Sequence, residues 1–301
     1  MTTETAREQT RARYPDDSGD LDRDGVRIHW ERYGEGDRSI LFLPTWSIVH
    51  SRCWKAQIPY LARHHRVIAF DPRGNGLSSR PLDPAAYDEA EFAGDALAVL
   101  DATGTDNAVV VGLSLGAQRG LILATCHPER VAGVVLIGPT VALAPLPPER
   151  ARAFERFHDE RDDAEPWAKH NAHYWQRDFP GFVEFFFSQV FSELHSTKQI
   201  EDCVGWGLEC GVDCLLASED GAGLGDTTAE TAAAITCPVL VINGDEDAIA
   251  PHAAGAELAR LTGGSLVTIA GGGHCPQARD PVLVNLLIRD FVEALDGWGS
   301  T

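Results

Sequence analysis

A doubly wound α/β fold, one mostly parallel sheet with helices on both faces, is the architecture this 301-residue sequence predicts. Three observations carry that reading. Short apolar runs recur at a steady interval along the chain. From the third onward most are dense in Val, Ile and Leu instead of alternating, as a strand covered on both faces requires. Between them lie stretches with helical spacing, and such alternation is the signature of a layered α/β domain.

In chain order, residues 1–24 come first. Their opening mixes Glu4, Arg7, Glu8, Arg11, Arg13, Asp16, Asp17 and Asp20 with almost no apolar residues. They predict a flexible N-terminal arm and lack the apolar stretch of a signal peptide. Val26–Tyr33, Ser39–Leu43 and Arg66–Phe70 read as strands. Asp88–Thr103 reads as a helix, with Phe92, Ala96, Val99 and Leu100 on one face and Gly104 placed to end it. The strand Asn107–Leu113, a helix over Leu115–His127 and the strand Val131–Gly138 follow.

The rhythm then breaks between Val141 and Ile235, where no buried strand is evident. An inserted helical cap accounts for this. Half of the chain's 24 aromatic residues fall in that stretch, including Trp167, Trp175, Phe182, Phe186 and Phe191, as a lid giving apolar walls to a pocket would need. Any one ring also serves as the cap's own core, so none is assigned to substrate. Pro238–Asn243, His252–Thr262, Ser265–Ala270 and Pro281–Leu295 complete the strand and helix series. The expected domains are an α/β core over 25–140 and 236–301 and a cap over 141–235.

With 44% hydrophobic and 23% charged residues the composition is that of an ordinary globular protein. The net charge of −20 repels nucleic acid and anionic membrane surfaces, so neither is expected as a partner. A small-molecule substrate is expected, neutral or cationic ones fitting this field best, although most of the charge is a solvated surface. No run of about 18 apolar residues occurs, which points to a cytoplasmic protein. Seven cysteines make an odd count without tight pairing and read as free thiols; Cys203, Cys210 and Cys214 lack the short spacing of zinc sites, so no metal is expected. Oligomeric state, a homo-oligomer included, stays open.

The strand Asn107–Leu113 runs into Gly112-Leu113-Ser114-Leu115-Gly116 and then at once into helical sequence. A G-x-S-x-G motif in that context places a serine on a sharp, strained turn with its hydroxyl exposed, and small residues on either side avoid collision with strand and helix. The helix beginning there directs unpaired N–H groups at the same point, so the Leu115 amide is a candidate oxyanion donor. Ser114 is the candidate nucleophile.

At these residues the chain resembles the α/β-hydrolase superfamily, over nearly everything from Val26 to Leu295. Asp71-Pro72-Arg73-Gly74-Asn75-Gly76, after the strand Arg66–Phe70, is similar to the family's signature preceding the nucleophile, where the residues shape a turn and do no chemistry. The resemblance implies that the turn Gly244-Asp245-Glu246-Asp247 bears the triad acid. Asp247 is the favoured carboxylate, with Asp245 and Glu246 as exposed neighbours. The other place where relatives carry the acid is Gly138-Pro139-Thr140, which has no carboxylate. His274, after Gly271-Gly272-Gly273 and the last strand, is the candidate base. The order Ser114, Asp247, His274 matches the superfamily.

One departure stands out. Relatives usually carry His-Gly after the strand that here is Ser39–Leu43, whereas this chain has Pro44-Thr45-Trp46. Pro44 has no N–H and Thr45 lacks the backbone freedom of glycine, so Trp46 is the candidate second oxyanion donor with Thr45 behind it. Thr45 and His50 are candidate pocket residues, a plain loop role being the alternative for His50. A serine at the nucleophile turn is unlike the aspartate of haloalkane dehalogenases and epoxide hydrolases. The expected activity is hydrolysis of an ester, thioester or lactone of a small apolar compound through an acyl-enzyme, with no cofactor required. An acyltransferase, a C–C bond hydrolase, a perhydrolase or a non-catalytic ligand-binding homologue are the alternatives.

Overall fold

The structure, a computed structural model, describes residues 11–161, 165–222 and 228–295. Eight strands form a single sheet: β1 Asp17–Arg23, β2 Val26–Tyr33, β3 Ser39–Phe42, β4 Arg66–Phe70, β5 Ala108–Leu113, β6 Val131–Ile137, β7 Val239–Gly244 and β8 Ser265–Ile269. Their spatial order is β1-β2-β4-β3-β5-β6-β7-β8. β1 is antiparallel to β2 and β2 to β4, while all other neighbours are parallel. The predicted mostly parallel sheet is therefore the one found.

The helices are α1 Ile58–Leu61, α2 Glu89–Ala102, α3 Leu115–Cys126, α4 Pro148–Glu155, α5 Ala172–Arg177, α6 Phe179–Val190, α7 Thr197–Cys210, α8 Val212–Gly221, α9 Ala229–Ala233, α10 His252–Thr262, α11 Pro276–Arg279 and α12 Pro281–Ala294. β5 lies in the middle of the sheet and every residue in it is buried. Its alternate side chains feed two apolar cores: Val109 and Val111 join one, Ala108 and Val110 the other. This two-sided burial explains why the strand reads as an unbroken apolar run.

One boundary needs correction. Residues 17–23, expected within a flexible arm, form the edge strand β1 in continuous register with β2, from Asp17 opposite Arg32 to Arg23 opposite Val26. Three of its seven residues are acidic and the strand is largely solvated, so backbone pairing rather than burial holds it. Arg23 adds a side-chain tie, bonding the Glu91 carbonyl and the Asp95 carboxylate of α2. Residues 1–10 of the expected arm lie outside the described residues.

Between β6 and β7 the described chain is helical, running from α4 to α9. Aromatic rings cement this insertion from within: Trp175 lies 4.4 Å from Phe182 and 4.8 Å from Phe157. Trp46, in the loop after β3, packs edge-on against Phe186 at 5.2 Å and thereby joins insertion to sheet. Among the described residues no helix is long and apolar enough to cross a membrane.

Candidate active site

β5 ends at Leu113 and α3 begins at Leu115, so Ser114 must turn the chain within a single residue. It does so at φ 58°, ψ −120°, a left-handed region that costs a residue with a side chain of order 1–3 kcal/mol. Close approach explains its neighbours. A Cβ at Gly112 would lie 2.2 Å from the Gly116 carbonyl oxygen, and one at Gly116 would lie 2.7 Å from that of Pro44. The turn is tied down by Ser114 N–H to the Ile137 carbonyl at 2.9 Å and by Thr140 N–H to the Ser114 carbonyl at 3.2 Å.

His274 is buried and sets Nδ1 2.9 Å from Oδ2 of Asp247. An ionised carboxylate only accepts, so Nδ1 carries the proton and Nε2 is left as the basic nitrogen. The Asp247 side chain is fully enclosed, and its Oδ1 accepts from the Ile249 and Ala250 amides at 2.8 Å each. Asp245 and Glu246 are exposed, and Asp245 bonds the Gly271 amide at 2.6 Å. Of the three acidic residues on that turn, Asp247 alone meets the imidazole.

Ser114 and His274 line one cavity of about 290 Å³, together with Thr45, Trp46, Leu115 and Thr140. Five aromatic residues from between β6 and β7, Phe154, Phe186, Phe187, Phe191 and Trp206, complete its apolar walls. Trp167, Trp175 and Phe182 instead pack inside the insertion. The two readings of the aromatic enrichment thus divide the rings between them.

The loop after β3 is held from beneath. Arg119 of α3 is fully buried, bonds both Glu89 oxygens at 2.8 and 3.0 Å, and donates to the Thr45 carbonyl at 2.6 Å and the Pro44 carbonyl at 3.3 Å. In a trans peptide the C=O and N–H point in opposite directions, so fixing the Thr45 carbonyl on Arg119 aims the Trp46 N–H away from it. Leu115 opens α3, and its amide is among those a helix leaves unpaired.

Two residues depart from expectation. His50 is buried but does not line the cavity; its Nδ1 accepts from the Arg52 amide at the start of a 3₁₀ turn and its ring packs on Trp206. Burial also pushes its imidazole below the ordinary value, favouring the neutral form. Thr140, noted in the sequence only for the lack of a carboxylate, places Oγ1 3.1 Å from the Ser114 hydroxyl. Its position after β6, beside the end of β5 in a parallel sheet, is the signal that could have found it.

Comparison with known proteins agrees with this architecture. The family model described as alpha/beta hydrolase fold matches residues 38–281. The protein named carbamate hydrolase RutD from Klebsiella pneumoniae is 27% identical over 243 residues, covering 80% of this chain and 86% of that protein. Est816, described as an N-acyl homoserine lactone degrading enzyme, superposes with a TM-score of 0.73 at 26% identity, covering 91% of this chain and 100% of that one. The enol-lactonase from Burkholderia xenovorans LB400, at 21% identity, shares the fold with a TM-score of 0.75 over 91% of this chain and 100% of that one. With the match spanning most of its length, the chain belongs to the alpha/beta hydrolase fold family.

Proposed function

We propose that the protein is a serine hydrolase that cleaves an ester, thioester or lactone of a small compound through an acyl-enzyme on Ser114. The observation that carries this reading is that a single cavity is lined both by a serine on a strained turn and by an imidazole whose far nitrogen is bound to a buried carboxylate.

Ser114 Oγ attacks the substrate carbonyl while His274 Nε2 takes its proton, and Asp247 stabilises the imidazolium that forms. The tetrahedral oxyanion is received by the Leu115 and Trp46 amides. Collapse expels the leaving group, which takes its proton from His274. Water activated by the same imidazole then releases the acyl product and restores the serine. In the resting site the Ser114 hydroxyl is held by Thr140, which orients it at the turn until substrate enters. Carbamates and acyl lactones, the compounds in the names of RutD and Est816, both present the electrophilic carbonyl this scheme needs.

A fluorophosphonate probe tests the proposal directly. Wild-type protein is expected to take one label on Ser114, with Ser114→Ala unlabelled and ester turnover abolished in parallel. Folded wild-type protein that stays unlabelled overturns it.

A further inference from the structure

Among the described residues one cation of the cavity lining forms no ion pair. Arg150, on α4, is 5% exposed and lines the cavity. One Nη donates to the Ile249 carbonyl, and the guanidinium lies 5.3 and 5.2 Å from the ring centres of Phe154 and Trp167. Its Nε is buried with no hydrogen-bond partner, and among the described residues the guanidinium forms no ion pair. Burial pushes the guanidinium down to about 10, against the pull of Asp247, Glu219 and Glu149, so it remains charged at neutral pH. An unpaired buried charge is strongly unfavourable unless something arrives to compensate it.

The surrounding wall points the same way. Besides Arg150, the charged residues lining the cavity are Lys55, Lys198, Asp202 and Glu219. Asp202 is shared by both lysines, and Glu219 faces His170 Nε2 at 3.2 Å. Three cations against two engaged carboxylates give the cavity lining a net positive charge in a molecule of net charge −20. His170, which also lines the cavity, keeps a buried Nδ1 without a partner.

Arg150 is moreover linked through a single residue to Asp247. The Ile249 whose carbonyl it bonds gives its own amide to Asp247, which holds His274. A group seated on Arg150 therefore shares the cavity that Ser114 and His274 line.

We propose that Arg150 is an anion-recognition residue of the cavity, and that the substrates are small esters, thioesters or lactones bearing a free carboxylate, which pairs with its guanidinium. The word substrate rests on the serine-hydrolase reading; the binding site itself does not. The proposal reverses the preference for neutral or cationic compounds that net charge alone suggests.

Calorimetric titration with probes that carry no cleavable ester separates the two. Butanoate, pentanoate and hexanoate are compared with the matching primary amides on wild-type protein, Arg150→Gln and Arg150→Lys, each checked for folding by thermal unfolding. At least one carboxylate is expected to bind wild type about tenfold or more tighter than its amide, as a charge-assisted hydrogen bond warrants. That ratio collapses toward unity in Arg150→Gln and is partly kept in Arg150→Lys. Equal binding of acid and amide to wild type, absence of carboxylate binding, or a ratio that survives Arg150→Gln because the oxyanion amides hold the carboxylate, each overturns it. Failure of Ser114 labelling leaves the ratio unaffected, so the two proposals fall separately.

Discussion

Gly138 is the glycine that presses directly on the imidazole of His274. It follows β6 at φ +48°, and a Cβ there would lie 2.9 Å from the His274 carbonyl oxygen and 3.1 Å from its Nδ1. Gly138→Ala therefore adds about 1–2 kcal/mol of left-handed strain and pushes against the His274–Asp247 pair. A displacement of about 1 Å in a reacting group costs on the order of 100-fold, so kcat/KM on an ester should fall by about that factor while thermal unfolding records only the strain. Full activity in Gly138→Ala would show that the imidazole has slack. At this scale the sequence was legible where a residue's placement is written locally, Ser114 at its strand-to-helix turn and His274 after its glycine run, whereas Asp247 was singled out from three acidic neighbours by the family resemblance. It was silent on Thr140 and Arg150, whose partners lie 26 and 99 residues away and are brought in only by the crossing of strands and insertion.

Between elements, the unusual loop Pro44-Thr45-Trp46 is coupled to α2 and α3 through Arg119. The guanidinium fork spans Glu89 on one side and two loop carbonyls on the other, while Phe92 lies under it at 3.4 Å. Arg119→Lys keeps a charge opposite Glu89 but cannot span both, which frees the Thr45–Trp46 peptide to rotate. Losing one oxyanion donor costs about 100-fold or more in kcat, so kcat is expected to drop by that order with KM shifted only a few-fold. A variant that loses thermal stability yet keeps its kcat would confine Arg119 to packing. The elements themselves were readable wherever burial is two-sided: β3 to β7 and the helices flanking them lie within a residue or two of their apolar runs. β1 was not, because an edge strand needs no apolar pattern; its polar DSGDLDR sequence carries no signal distinguishing a paired edge from a solvated tail.

The whole molecule sets a field that opposes the cavity it encloses. A net charge of −20 repels an approaching anion over the full screening length, whereas the cations of the cavity act only near its walls. Lys198, largely exposed, and the partly exposed Lys55 stand at the solvent edge of that cavity and share Asp202 between them. Raising ionic strength from about 0.01 to 0.1 M shortens the Debye length from about 30 to about 10 Å, which removes the long-range repulsion while leaving the enclosed Arg150 little screened. The association rate of a carboxylate probe should therefore rise with salt, by about 2–5-fold over that range, in contrast to the fall seen when a protein steers its ligand inward. Trp46 and Trp206 line the cavity and offer a fluorescence signal for stopped-flow measurement. The matched amide, which feels neither field, should associate at a rate independent of salt. A carboxylate rate that falls as salt is added would mean that the lysines at the edge, and not the molecule's net charge, govern entry.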